Sequence, residues 1–336
     1  MRSSDRSRLP LLLGALVLLW LWPRRAEAQL QAQGFALDRL YLSAPGAGWF
    51  VMDSLDMRGG LGGAISLTSN YARDPWRVSS SDGSQRLAVV SDESLVDLGF
   101  AATYDRFRLY LNFDMPLTVV GDSGVVGGVR FTSPNASQPY TPSGVNLSTA
   151  PDAFADGRAG FDARLLGAPH DPFRLGASAQ LFVPSTNTPN SEYLSDGTFR
   201  AMGRVLFAGD VGSFSYAGQV GVHVRPFDET PVPGAAQGSE LLFGLAGGAR
   251  YSLDATTALI VGPEVFGASA FRSLLGSQST ALEGLLTARV EGTADNGRQI
   301  RVRLGTGVGS DQAFGAPAWR FVVGVEVFDH STGRGK

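Results

Sequence analysis

The chain has 336 residues, a formal net charge of −3, 43 glycines and only 18% charged residues, against about 25% charged in an ordinary soluble domain. It contains no cysteine, which excludes disulfides, zinc–thiolate sites and cysteine nucleophiles. The slight negative charge gives no electrostatic footing for nucleic acid or an anionic membrane surface, and every basic residue except Lys336 is arginine, a permanently charged fork.

Residues 1–28 read as an export signal. Arg2, Arg6 and Arg8 make a basic start, and "LLLGALVLLWLW" (11–22) is an apolar run shorter than the roughly 20 residues a spanning helix needs. "AEA" (26–28) offers small residues for cleavage after Ala28, before Gln29. Arg24 and Arg25 are atypical there and leave an uncleaved anchor as the alternative. Residues 29–55 follow, with "GFALDRLYL" (34–42) and "GWFVMDSLDM" (48–57) apolar yet carrying Asp38, Arg39 and Asp53.

From there the chain alternates. In "RFRLYLNFDM" (106–115), Phe107, Leu109, Leu111, Phe113 and Met115 oppose Arg108, Tyr110, Asn112 and Asp114, as the two faces of a strand. Similar patterns predict twelve strands, at 57–72, 92–104, 106–119, 152–166, 172–184, 198–209, 213–225, 239–252, 256–268, 279–293, 298–309 and 317–328. Pro263 in the ninth cannot donate to a ladder and predicts a bulge. Short links (104–106, 167–172, 209–212, 253–256, 294–297) alternate with long ones (73–91, 120–151, 185–197, 226–238, 269–278, 310–316).

Strands this long, about 11–14 residues, exceed the mean of about 5–6 in soluble sheets and suit the about 9–11 residues of a tilted membrane strand. Lipid cannot satisfy an open sheet edge, so the sheet must close. The expectation is an all-β chain: an antiparallel up-and-down transmembrane β-barrel of about twelve strands over residues 56–329, with long outer loops and short periplasmic turns. Residues 29–55 become a periplasmic-side N-terminal segment, packing at the barrel mouth or entering the lumen, and 330–336 a C-terminal tail. The expected location is the outer membrane of a Gram-negative bacterium, after export by the signal peptide.

By parity, Asp97, Arg108, Asp114, Asp156, Arg158, Asp162, Arg164, Arg174, Arg204, Arg250, Glu283, Arg289, Arg301, Arg303, Arg320 and Glu326 point inward. Eight strands leave an interior filled by side chains and 16–18 an aqueous channel, so two readings stand: an ion-paired network that plugs the lumen, or a narrow polar pore or solute site, biased towards anions by its arginines. No metal or cofactor is implied. Of the three histidines, His170 lies in a turn, His330 in the tail and His223 in a strand. Ser215 stands eight residues from His223, roughly 26 Å along a strand, too far for a nucleophile and its base, so no enzyme is expected. The glycine-rich pieces "RGGLGGA" (58–64), "GLAGGAR" (244–250) and "GTGVG" (305–309) lie within strands, where they relieve crowding in a curved wall and do not cradle a nucleotide. The loop 127–148 is polar, either a fringe or an inward-folding constriction.

"GFALDRL" (34–40), "GWFVMDSLDMR" (48–58) and "FGAPAWR" (314–320) resemble the start and finish of one barrel family: the N-terminal barrel of large OmpA-family outer-membrane proteins in Gram-negative bacteria with high-GC genomes. The resemblance implies a barrel without catalytic residues. The acidic calcium-binding repeats and peptidoglycan-binding domain that usually follow in that family are missing from this sequence, which ends in "DHSTGRGK" (329–336), so peptidoglycan anchoring is not implied. The expected partners are outer-membrane lipids and lipopolysaccharide, with the barrel-assembly machinery during insertion, for which the final Phe328 is suited; nucleic acid is not expected. The leading function is a narrow or gated passive channel for small polar or anionic solutes. The alternatives are a structural envelope barrel with an ion-paired plugged lumen, an outer-membrane lipase or protease, and a secreted soluble β-protein that binds carbohydrate.

Overall fold

The computed structural model describes residues 35–57, 60–134, 155–184, 193–226, 236–294, 298–310 and 314–329. The signal (1–28), the tail (330–336, with His330) and most of the polar loop (135–148) lie outside the described residues. The strands are β1 (Leu61–Ser79), β2 (Arg86–Tyr104), β3 (Phe107–Val120), β4 (Gly124–Val126), β5 (Val129–Phe131), β6 (Gly157–Leu166), β7 (Arg174–Val183), β8 (Arg200–Val211), β9 (Phe214–Val224), β10 (Glu240–Ser252), β11 (Thr257–Ala270), β12 (Thr280–Thr293), β13 (Gln299–Gly309) and β14 (Trp319–Asp329). All but β4 and β5 form one closed antiparallel barrel of twelve strands, each beside its sequence neighbour. β14 returns to β1 from Gly63↔Asp329 to Arg73↔Trp319 and completes the ring.

Side-chain parity fixes what each face meets. In β3, Arg108, Tyr110 and Asn112 are buried while Phe107, Leu109, Leu111 and Phe113 are exposed. The same inversion holds around the ring, with Ile65, Val205, Val220, Leu245, Leu286 and Val325 all outward and exposed. Such an exterior is unfavourable in water by roughly 25 cal/mol per Å² of apolar surface and is at home in hydrocarbon, where the closed ladder leaves no unpaired edge. The fold is a transmembrane β-barrel. Accordingly, Val220→Arg, on the outer face of β9, is expected to destabilise the barrel in lipid vesicles by about 2–4 kcal/mol, measured by urea unfolding; a water-facing site would change by no more than about 0.5 kcal/mol.

Two expectations about elements need correction. The link expected at 73–91 is mostly strand: β1 and β2 each run 19 residues and are joined by 80–85. Asp74 and Pro75 fall inside β1, and the ladder absorbs them. Asp74 takes φ +48°, the register shifts between Arg73 and Arg77, and pairing then resumes, a bulge that keeps the strand going. The bulge expected at Pro263 is not there. Its register to β12 is continuous through Pro263↔Leu286, and the ladder to β10 keeps its register on either side of an unpaired gap opposite Gly247–Gly248, the side on which proline's missing N–H leaves nothing to donate.

The two ends of the barrel differ. One carries the short links 105–106, 167–173, 212–213, 253–256 and 294–298; the other carries 80–85, 121–156, 184–199, 225–239, 271–279 and 310–318. Within 121–156, β4 and β5 make a small hairpin on Gly127–Gly128, both at positive φ, as a tight two-residue turn requires.

Candidate functional site

The lumen is occupied by the chain's own residues 35–57, which run from the long-link end to the short-link end. Phe35 is fully buried at the long-link end, where its ring meets Trp76, Tyr193 and Phe314 edge-on at 5.4, 5.5 and 5.6 Å. Next to it the Ala36 N–H donates to Asp196 at 2.8 Å, and Arg225 bridges Asp196 (2.6 Å) and Glu240 (2.8 Å). Burial by itself raises the Asp196 carboxyl; the Arg225 guanidinium outweighs it and holds the group below the usual carboxylate range. Arg39 donates to Glu240 at 2.7 Å. Gly315, at φ +75°, lies so close to Leu37 that a Cβ there would stand 2.2 Å from the Leu37 carbonyl oxygen.

Deeper in, Asp38 receives Arg320 at 2.7 Å, and Arg320 also donates to Glu283 (2.7 Å) and Asn70 (2.9 Å). The Tyr41 hydroxyl lies 3.1 Å from His223 Nδ1. Arg158 donates to the Leu42 carbonyl at 3.0 Å and to Asp97 at 2.7 Å, with Asp114 at 3.4 Å. Residues 43–54 then fold on themselves, with Ser43 N–H to Phe50 O and Ser54 N–H to Ala47 O, both 2.8 Å. The wall clamps this turn. Glu264 of β11, wholly buried, accepts the N–H groups of Phe50 (3.0 Å) and Val51 (2.9 Å) and the Thr287 hydroxyl (2.7 Å). Arg303 donates to the Trp49 carbonyl at 2.7 Å and lies over the Phe50 ring, while Arg289 lies over Trp49 at 4.5 Å. Near the short-link end Asp53 pairs with Arg108 at 2.9 Å, and Leu55 and Met57 are fully buried.

The other inward charges extend this network. Asp162 sits 3.6 Å from Arg108, Asp156 pairs with Arg200 at 2.5 Å and Arg174 with Asp210 at 2.8 Å. Arg204 donates to Gln219 and Ser178. Arg301 and Arg303 share Glu326 at 2.7 and 2.8 Å. Arg164 is buried near the short-link end. Arg250 departs from the set: it sits at the open mouth, exposed, 3.6 Å from Glu291. Sequence reasoning missed Glu93, Asp196, Arg200, Arg225, Glu240, Glu264 and Glu291. Glu264 and Glu291 had a signal, since Glu264 shares parity with the inward Ile260 and Phe266, and Glu291 with Glu283 and Arg289. Asp196 lies in a link and had none.

The network encloses small spaces. One of about 50 Å³ borders Asp38, Tyr41, Asp114 and Arg158, and one of about 400 Å³ opens at the short-link end among Ser54, Arg174, Arg250, Arg289 and Arg301. Ser215 donates to Asp210 at 2.6 Å, at the opposite end of β9 from His223, whose neighbours are Tyr41 and Glu240. Among the described residues no group of three or more His, Asp or Glu side chains is placed to hold a metal ion.

No protein-family description and no curated protein sequence matches this chain. Among solved structures it is similar to an outer-membrane channel from Pseudomonas putida F1, at 14% identity and TM-score 0.48, covering 80% of this chain and 95% of that one. It is also similar to the NanC porin (7% identity, TM-score 0.42, 78% and 98% covered) and to the β domain of the Bordetella autotransporter BrkA (13%, 0.39, 79% and 98%).

Proposed function

We propose that the protein is an outer-membrane barrel closed in its resting state by its own N-terminal segment, and that it passes small polar or anionic solutes only when that segment leaves its seat. One observation carries the reading: residues 35–57 fill the lumen but join no strand ladder of the wall, being held mainly by side-chain contacts such as Glu264 on Phe50 and Val51 and Arg320 on Asp38, with one backbone bond from Leu37 to Tyr193 in a link. A plug held by side chains can be released without opening the barrel's own hydrogen bonds. The arginines of the lumen support a preference for anions. The separation of Ser215 from His223 supports a role without catalysis. Kinship with OmpA-family barrels is supported by one contact set: the first and last of the resembling segments meet through Phe35–Phe314 and Asp38–Arg320.

The test is conductance in planar bilayers. The full chain is expected to be nearly silent, and a variant lacking residues 35–57 to show steps that reverse at a potential favouring anions. Steady conductance by the full chain would refute closure. A silent deletion variant that still migrates faster unboiled on gels, and is therefore folded, would leave the structural reading of a barrel shut for good.

A further inference from the structure

We infer that the cavity at the short-link mouth is a binding site for a small, multiply charged oxyanion such as a phosphate. The cavity holds about 400 Å³, and its lining includes Arg174, Arg250, Arg289, Glu291, Arg301 and Ser54. Glu291 is shared by three guanidinium groups, Arg301 at 2.8 Å, Arg289 at 3.1 Å and Arg250 at 3.6 Å. Arg301 also reaches Glu326, which Arg303 shares. Glu264 also acts on Arg289 and Arg303, so four guanidinium groups lean on three carboxylates and leave one positive charge in excess on this side of the mouth.

The arginines are also under-used as donors. Arg250 reaches Glu291 only at 3.6 Å, beyond hydrogen-bond length, and Arg289, which lies over Trp49, has an Nη1 that faces the plug at Gly48 without a hydrogen-bond partner. The other acids at the mouth are already engaged. Asp210 accepts from Arg174 and Ser215, Asp254 accepts the N–H and hydroxyl of Thr256 in its own turn, and Asp56 interacts with Arg164. An oxyanion with several acceptor oxygens would supply what Glu291 cannot give to three arginines at once, and planar forks suit it. This site goes beyond gated passage and stands whether or not the plug moves.

The experiment is calorimetric titration of the full chain in detergent with inorganic phosphate at low ionic strength. Saturable binding is expected. Arg250→Gln, exposed and outside the plug's contacts, should weaken it about tenfold, and Glu291→Gln should strengthen it about tenfold by removing the competing carboxylate. Absence of saturable binding by the unaltered chain would overturn the site. So would an unchanged or weaker affinity in Glu291→Gln with unfolding temperature preserved. Asp254→Asn, which changes the charge of the same mouth by the same amount, should leave affinity within about twofold; a gain equal to that of Glu291→Gln would reduce the effect to the general field and also overturn the site.

Discussion

Glu264→Ala is expected to turn a quiet barrel into one that flickers open in planar bilayers. Among the described residues, Glu264 is the single carboxylate that accepts two successive backbone N–H groups of the plug, those of Phe50 and Val51. Buried donors that lose their acceptor cost about 1–3 kcal/mol each, so the seated plug loses about 2–6 kcal/mol against an unseated one in which water solvates the same groups. The low end of that range already raises the open fraction about thirtyfold. The barrel's own ladders are untouched, so gel mobility of the unboiled protein should be unchanged. Glu264→Gln keeps an acceptor oxygen and should open less. A record as quiet as that of the unaltered chain, from folded Glu264→Ala, would show that the turn at 43–54 is held by something other than this clamp.

Arg320→Met carries the largest expected loss of stability. Arg320 is wholly buried and serves Asp38 of the plug, Glu283 of β12 and Asn70 of β1. Methionine fills comparable volume but leaves Asp38 and Glu283 without their cation, with the buried Glu93 beside them. Breaking a buried pair from one side costs about 3–5 kcal/mol. Urea unfolding in vesicles should show that loss, and adding Glu283→Gln should recover part of it, since the remaining carboxylate then faces an amide. Equal stability of the single and double variants would mean that Asp38 and Glu283 are relieved by water, and that the ion pairs do not hold the plug.

The barrel wall was legible because its code is local. Strict alternation sets which residues face out, and turn residues such as Gly212–Ser213 and Asp105–Arg106 mark where the chain reverses. That reading yields twelve strands with ends displaced by a few residues. It failed over 73–91, where Asp74 and Pro75 sit in a bulge across which the register shifts, beside the packed Trp76, Val89 and Val90. The plug was not legible in the same way. Residues 35–57 have neither a period of two nor a helical one, and their meaning lies in contacts far apart in sequence: Asp38 with Arg320 is 282 residues away, and Phe50 with Glu264 is 214. Parity could place Arg320 and Glu283 inside the barrel, but could not say that an internal segment would meet them there.

Closure rests on the path of that segment, and paired cysteines test it most directly. The chain has no cysteine, so each variant carries only the two thiols introduced. Leu37 donates its N–H to the Tyr193 carbonyl at 2.8 Å at the long-link end, which brings the two positions within disulfide reach, whereas Gly212 marks the short-link end. Under mild oxidation Leu37→Cys with Tyr193→Cys is expected to cross-link, seen as a shifted mobility of the boiled, unreduced chain, and Leu37→Cys with Gly212→Cys is expected not to. Cross-linking of the second pair and not the first would put the start of the segment at the short-link end and contradict a plug that runs the length of the lumen.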